Sequence, residues 1–182
     1  MHLRSGTPSI EHLLELPPAV TLSLVVSLDG QLCGADGSSR GISAPEDLDW
    51  LRRLRAAADV VVVGAATAER EGYRPISVRP EYAAARREAG LAAHPDLLVV
   101  RRADDVPALL RGCGPRVLLE AGVRLHTALG DLIDRVWLSH APVVVGDVGA
   151  AYALPMEHFA LSERWTGEGA YPLSRFDRVS RR

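Results

Sequence analysis

The chain has 182 residues, a mass of 19.6 kDa, 47% hydrophobic residues and a formal net charge of −2, which fits one domain with a core of its own. All 21 basic residues are Arg, and neither Lys nor Asn occurs. Schiff-base catalysis, a pyridoxal-phosphate anchor, a standard P-loop and N-glycosylation are thereby excluded, and any cationic grip on an anion must come from Arg, His or backbone N–H groups.

Cys33 and Cys113 are far apart and form no CxxC pair, and the six His are scattered without an HExxH. Neither a metal site nor a disulfide framework is expected. No apolar run has the length of a membrane-spanning helix, and the N-terminus lacks a signal-peptide apolar region. Near-neutral charge argues against nucleic acid as the main partner. The starting expectation is a soluble cytoplasmic α/β protein with no membrane or nucleic-acid partner.

In chain order, residues 9–16 predict a short helix with Ser9 as N-cap, stopped by Pro17-Pro18. Residues 20–28 are short, apolar and β-branched, so they predict a strand, closed by an Asp29-Gly30 turn. Residues 34–41 form a Gly/Ser-rich loop. Ser43 and Glu46 have capping-box spacing, and Leu48, Leu51, Leu54 and Ala58 recur at helical intervals, predicting a helix over 44–58. Residues 59–63, Asp-Val-Val-Val-Val, predict a strand covered on both faces of a parallel sheet, followed by a helix over 65–71. Residues 73–80 are irregular, with two Pro and two Arg. Then follow a helix over 81–91, a buried strand over 96–100, a short helix over 104–112, a strand over 116–119, a helix over 125–133 and a long strand over 135–145. An antiparallel hairpin over 159–179 turns around Gly167-Glu168-Gly169. This order predicts a three-layer α/β fold: a mostly parallel sheet with helices on both faces and a C-terminal antiparallel hairpin. The whole of 1–182 is read as one domain, with 1–18 as an N-terminal extension.

In such sheets ligands bind beyond the C-terminal strand ends. The turn Glu120-Ala121-Gly122 is the most suggestive of these, because a strand there runs into small residues and a helix start, where free N–H groups favour phosphate; a tight turn without a ligand fits the spacing equally well. Thr67 is either an N-cap, the favoured reading, or a hydroxyl for a ligand phosphate. Glu71 lies one helical turn later on the same face. Arg55 is read from helix position as a solvated surface residue. Arg74 and Arg79 could clamp a phosphate, although a solvated loop is the default.

Together these strand ends resemble the reductase domain of riboflavin biosynthesis. That domain is the C-terminal half of the bifunctional deaminase–reductase, and it has stand-alone relatives, including an actinobacterial type, with a dihydrofolate-reductase-like fold. The matching text is Ser27-Leu-Asp-Gly30, Ile42-Ser43, Leu54-Arg55-Ala56, Asp59–Gly64 followed by Thr67, Leu119–Gly122, Leu132-Ile-Asp134, Ala141-Pro142 and Val145-Gly146. The resemblance implies an NADPH-dependent oxidoreductase, with NADH also admissible. Its substrate would be 5-amino-6-(5-phosphoribosylamino)uracil or a related phosphorylated heterocycle, and the protein would work as a homodimer, for which the apolar strand 136–145 is suited. Position by position, it implies substrate contacts at Ser39, Arg55, Arg79 and Glu120, with Arg74 able to replace Arg79. It implies cofactor contacts at Thr67, Glu71 and the run Gly122, Val123, Arg124 and Leu125, and a proton delivered by Glu120, or next by Glu71. Only 15 residues separate Val100 from Arg116, where relatives fit another strand and helix. That shortage supports an alternative: a shortened, non-catalytic member of the fold that binds a nucleotide or only dimerises.

Overall fold

Four consecutive valines are all buried only if both faces of their strand are covered, and Val60, Val61, Val62 and Val63 are fully inaccessible to solvent. A computed structural model of the chain describes residues 2–149, 151, 156–166 and 171–180. Its strands are β1 (His2–Arg4), β2 (Val20–Val26), β3 (Val60–Gly64), β4 (Asp96–Val100), β5 (Val117–Glu120), β6 (Arg135–His140), β7 (Phe159–Trp165) and β8 (Leu173–Arg178). Its helices are α1 (Ile10–Glu15), α2 (Pro45–Ala56), α3 (Ala65–Glu71), α4 (Pro80–Glu88), α5 (Val106–Leu110) and α6 (Val123–Ala128). The strands make one sheet in the order β1-β7-β8-β6-β2-β5-β3-β4. All pairings are parallel except β6 with β8 and β7 with β8.

Alternation along each central strand splits the core into two layers. Val60 and Val62 of β3, Leu119 of β5 and Val136 and Leu138 of β6 pack on one face with Val106 and Ile133. Val61, Leu118 and Trp137 face the other way, against Leu13 of α1 and Trp50 and Leu54 of α2. Trp50 and Trp137 meet edge to face with centroids 4.8 Å apart, a favoured aromatic geometry. The expected three layers and C-terminal hairpin are therefore present; the Gly167–Gly169 turn lies outside the described residues.

Several local expectations need correction. Of the expected stripe Leu48, Leu51, Leu54 and Ala58, Leu54 and Ala58 are buried, but Leu48 is exposed and Leu51 half-buried; the buried face of α2 is Asp47, Trp50 and Leu54. Ser43 is not the N-cap, a position held by Ala44; the Ser43 hydroxyl donates instead to the Asp47 carboxylate. Strand β4 is not buried. It is the sheet edge, with Val99 51% exposed, because the chain returns after α5 into β5, between β2 and β3. Strand β6 stops at His140, and β2 and β8 flank it, so it offers no free edge for pairing with a second copy. The three-residue strand β1 was too short for its pattern to announce it.

The segment after β6 is tied down by Asp29. Its carboxylate accepts from Ser27 Oγ at 2.6 Å and from the backbone N–H of Gly146 at 2.7 Å. The Ser27 hydroxyl first, then the Gly146 N–H, hold its pKa down at about 2. The staple is therefore complete above pH 3.8, the ordinary value, and is lost only as pH falls toward 2. Asp29 thus has a structural partner of its own. Among the described residues no helix is long and apolar enough to cross a membrane.

Candidate functional site

Beyond the C-terminal ends of β2, β3 and β5 lies a cleft of about 1220 Å³. One wall is α2, which presents Asp47, Leu51, Arg52 and Arg55. The opposite rim is residues 70–79, and the floor carries Ser23, Leu24 and Glu120–Val123. Helix α2 can hold this wall because its Pro45 sits in the first turn, where a missing N–H costs nothing, and its apolar face is anchored by Trp50 and Leu54.

The centre of the site is a charged cluster that sequence spacing did not reveal. Arg55 donates from Nε and Nη2 to the two oxygens of Glu120, at 2.7 and 2.6 Å. The Tyr73 hydroxyl donates to the same carboxylate, and the Arg55 guanidinium lies 5.3 Å from the Tyr73 ring centroid. Arg55 is thus not a solvated surface residue. Burial works against its charge, but the Glu120 carboxylate more than reverses this and raises its pKa. Burial, then the Glu120 charge, raises the Tyr73 phenol, so it stays a donor. Glu120 accepts three hydrogen bonds here. Glu120 is also the last residue of β5 rather than part of the following turn, so its position is set by the sheet.

The other predicted residues fall around this cluster. Thr67 is the third residue of α3, not its N-cap, which is Gly64. Thr67 faces Gly122: a Cβ added to Gly122 would lie 3.5 Å from Thr67 Oγ1. At the start of α6 the N–H groups of Leu125 and His126 already bond the Gly122 carbonyl, leaving Val123 and Arg124 as the first-turn donors. Val123 lines the cleft, Arg124 is exposed, and Leu125 packs against the core. Glu71 accepts from Ser38 Oγ at 3.0 Å and pairs with Arg40 at 3.1 Å, while Gly72 closes α3 at φ 66, a conformation glycine adopts without strain. Ser39 lines the cleft. Arg79 also lines the cleft, where it pairs with Asp49 at 2.9 Å and Glu81 at 3.6 Å. Arg74 is exposed on the rim and makes no ion pair with the described residues. Tyr73 and Asp47 are the site residues that sequence reasoning missed. Tyr73 sits in an irregular stretch with no periodicity to read, whereas Asp47 had a signal, an acid three residues before Trp50 on the apolar face.

The fold is an α/β protein with a cleft at the carboxyl ends of its parallel strands, the place where such sheets carry ligand sites. The family model described as the RibD C-terminal domain matches residues 18–111, more than half of the chain, and the chain belongs to that family. No curated protein sequence matches it significantly. Among solved structures, a pyrimidine reductase-like protein of Corynebacterium diphtheriae is similar with a TM-score of 0.77 and 18% identity, over 95% of this chain and 100% of that one. Dihydrofolate reductase of Enterococcus faecalis, complexed with NADP(H), has a TM-score of 0.68 and 12% identity, over 90% and 98% of the two chains. The diaminohydroxyphosphoribosylaminopyrimidine deaminase/5-amino-6-(5-phosphoribosylamino)uracil reductase of Thermotoga maritima has a TM-score of 0.64 and 16% identity, over 89% of this chain and 57% of that one. At these identities the likenesses show the fold, which is dihydrofolate-reductase-like as expected.

Proposed function

We propose that this chain is a reductase of the riboflavin-pathway type, which uses a reduced nicotinamide cofactor on a phosphorylated heterocycle resembling 5-amino-6-(5-phosphoribosylamino)uracil. The observation that carries this reading is the Arg55–Glu120–Tyr73 cluster in the cleft beside the Thr67–Gly122 edge. NADPH is the preferred cofactor in this reading, with NADH also admissible. Family membership and the NADP(H)-bound fold neighbour support it.

The residues present fit such a cofactor at one end. Gly122 leaves open the space a Cβ would fill against Thr67, and Val123 and Arg124 offer first-turn N–H groups beside it. Thr67 would bond a cofactor oxygen, and Glu71 would hold the α3 end through Arg40 and Ser38. The bound cofactor supplies hydride. The chain's own task is to seat the substrate and balance charge. Glu120 is fixed by two elements, β5 and α2, so it stabilises positive charge developing on the substrate. Because it already accepts three hydrogen bonds, it suits that electrostatic role better than proton delivery.

For the substrate phosphate, Arg74 is the better placed guanidinium, because Arg79 already balances Asp49 and Glu81. Arg74→Ala is expected to raise KM for the phosphorylated substrate about tenfold, the scale of one charge-assisted bond, with kcat within a factor of about two. Steady-state kinetics read both, and an unchanged KM would remove Arg74 from the site.

The deciding experiment is a fluorescence titration with NADPH and NADH. Binding of either below millimolar concentration is expected. If neither binds at millimolar concentration, the reductase reading falls in favour of the non-catalytic one. That second reading draws on the edge position of β4 and the 15-residue connection after it; in the reductase reading Arg101 and Arg102 would meet the cofactor's 2′-phosphate there. Both arginines are exposed, and Arg102 pairs only with Asp104 among the described residues. Homodimer formation belongs to the proposal as well and is read by sedimentation.

A further inference from the structure

Strand β4 is an open sheet edge without the usual protections. It pairs with β3 along its whole length, from Asp96 to Val100, with no bulge, and nothing among the described residues pairs with its other side. The Asp96 N–H donates to the Asp59 carbonyl at 2.9 Å, so alternation along the strand turns the N–H and C=O groups of Leu97 and Val99 away from β3. Leu97 is half-buried and Val99 is 51% exposed. Residues 97–100 are Leu-Leu-Val-Val, with no Pro or charge to discourage a further strand. The other end of the sheet is blunted instead: β1 has three residues, and its Arg4 lies 3.7 Å from Glu163.

Charge at the two ends of β4 selects what this edge fits. Asp96 at its start, and Arg101 and Arg102 just past its end, are exposed. Among the described residues Asp96 and Arg101 make no ion pair, and Arg102 has only Asp104 at 3.6 Å, in a pair that lies largely in solvent. An acid at one end and two bases at the other make the strand complementary to itself when reversed. A parallel copy would set acid beside acid and base beside base, which is unfavourable across strands. An antiparallel copy sets each Asp96 beside arginines of the other.

We propose that the β4 edge is a homodimer interface, in which two copies pair their β4 strands antiparallel about a two-fold axis through Leu98. The inference takes up the homodimer part of the reading above and does not depend on the reaction. Leu97 of each copy then lies opposite Val99 of the other, and each such pair exchanges two N–H···O=C bonds. Leu98 meets Leu98 of the second copy on the other face, and Asp96 meets the Arg101-Arg102 end of the second copy twice. One guanidinium answers the acid, which leaves its neighbour for a cofactor phosphate. The two eight-stranded sheets become one continuous sheet.

The test is sedimentation velocity over the micromolar range with matched charge variants. The wild type is expected to pass from monomer to dimer as concentration rises, and to lose dimer as added salt screens the strand ends. Asp96→Arg, and the double variant Arg101→Glu, Arg102→Glu, each place like charges together at both ends. Each is expected to weaken self-association at least about tenfold, since the two-fold axis doubles every loss. An equimolar mixture of the two variants restores opposite charges at both ends and should dimerise as the wild type does. Amide hydrogen exchange on the wild type locates the contact: the Leu97 and Val99 amides should slow as concentration rises, whereas those of Leu98 and Val100, turned toward β3, are protected throughout. A wild type that stays monomeric overturns the interface and the homodimer reading together. Fast Leu97 and Val99 amides in a dimer, unchanged association in both charge variants, or a mixture that stays monomeric overturns the interface and leaves a homodimer through another surface. If a variant does not fold, the wild-type amides decide alone. The NADPH titration, which tests the reductase reading, bears on none of these outcomes.

Discussion

Glu120→Gln is expected to lower kcat by at least about 100-fold, the scale for removing one preorganised electrostatic group, while NADPH still binds. Gln keeps the shape but not the charge. Tyr73 and Arg55 would both still point donors at a side chain that itself carries an N–H donor. The same substitution strips a counter-charge from Arg55, whose side chain is only 22% exposed and whose partner is 5% exposed. Removing one member of a buried pair leaves an uncompensated charge and costs about 3 kcal/mol. Urea denaturation reads the stability loss and fluorescence titration reads the cofactor. The double variant Glu120→Gln, Arg55→Met should recover part of the stability and none of the activity, since the pair then has no orphan charge. Unchanged kcat in Glu120→Gln would remove this carboxylate from the chemistry.

The second large effect is at Arg86, on α4, which touches no part of the cleft. It is 1% exposed, and its guanidinium donates to the carbonyls of Ala56 and Ala58 at 2.6 and 2.7 Å and, through Nε, to Ala92 at 2.8 Å. It closes the C-terminal end of α2 one residue beyond Arg55. Burial lowers its pKa, opposed by the charge of Asp59, yet the three carbonyls fix it in place. In Arg86→Leu those carbonyls lose their donor in a buried setting, at about 1–3 kcal/mol for each unsatisfied group. Relief from burying a charge offsets part of this, so the net expected loss is about 3 kcal/mol, read by urea denaturation. Arg86→Lys keeps the charge without the planar fork and should recover only part of it. Because α2 carries Arg55 and Asp47, activity should fall below what the folded fraction accounts for. A stability change under about 0.5 kcal/mol, the ordinary size for a surface substitution, would show the carbonyls to be satisfied otherwise.

The division between what is legible in the chain and what is not follows the range of the interactions. Hydrophobic period and turn residues are local, so the helix over 65–71 matches α3, the strand over 96–100 matches β4, and the Ser9 cap of α1 is as expected. Burial of β4 was misjudged because an apolar run reports a strand's own composition and not its number of neighbours; only the β5-β3-β4 order makes it an edge. The same limit governs the site. The strand end Glu120-Ala121-Gly122 and the Thr67 helix start were visible as a place for chemistry, since a small-residue turn after an apolar strand is a local pattern.

What met Glu120 there was not visible. Arg55 is 65 residues away and Tyr73 is 47, and helical position alone put Arg55 in solvent. Residue types and their local spacing determined the element order from α1 onward, the fold class and the excluded chemistries, all of which depend on backbone geometry and composition. The tertiary structure alone decided which Arg is paired and which is free, that Glu120 is an acceptor three times over, and that Asp47 is buried beside the same cleft without a cation. Charge pairing and desolvation depend on distances of a few ångströms between elements, and no spacing along the chain encodes them.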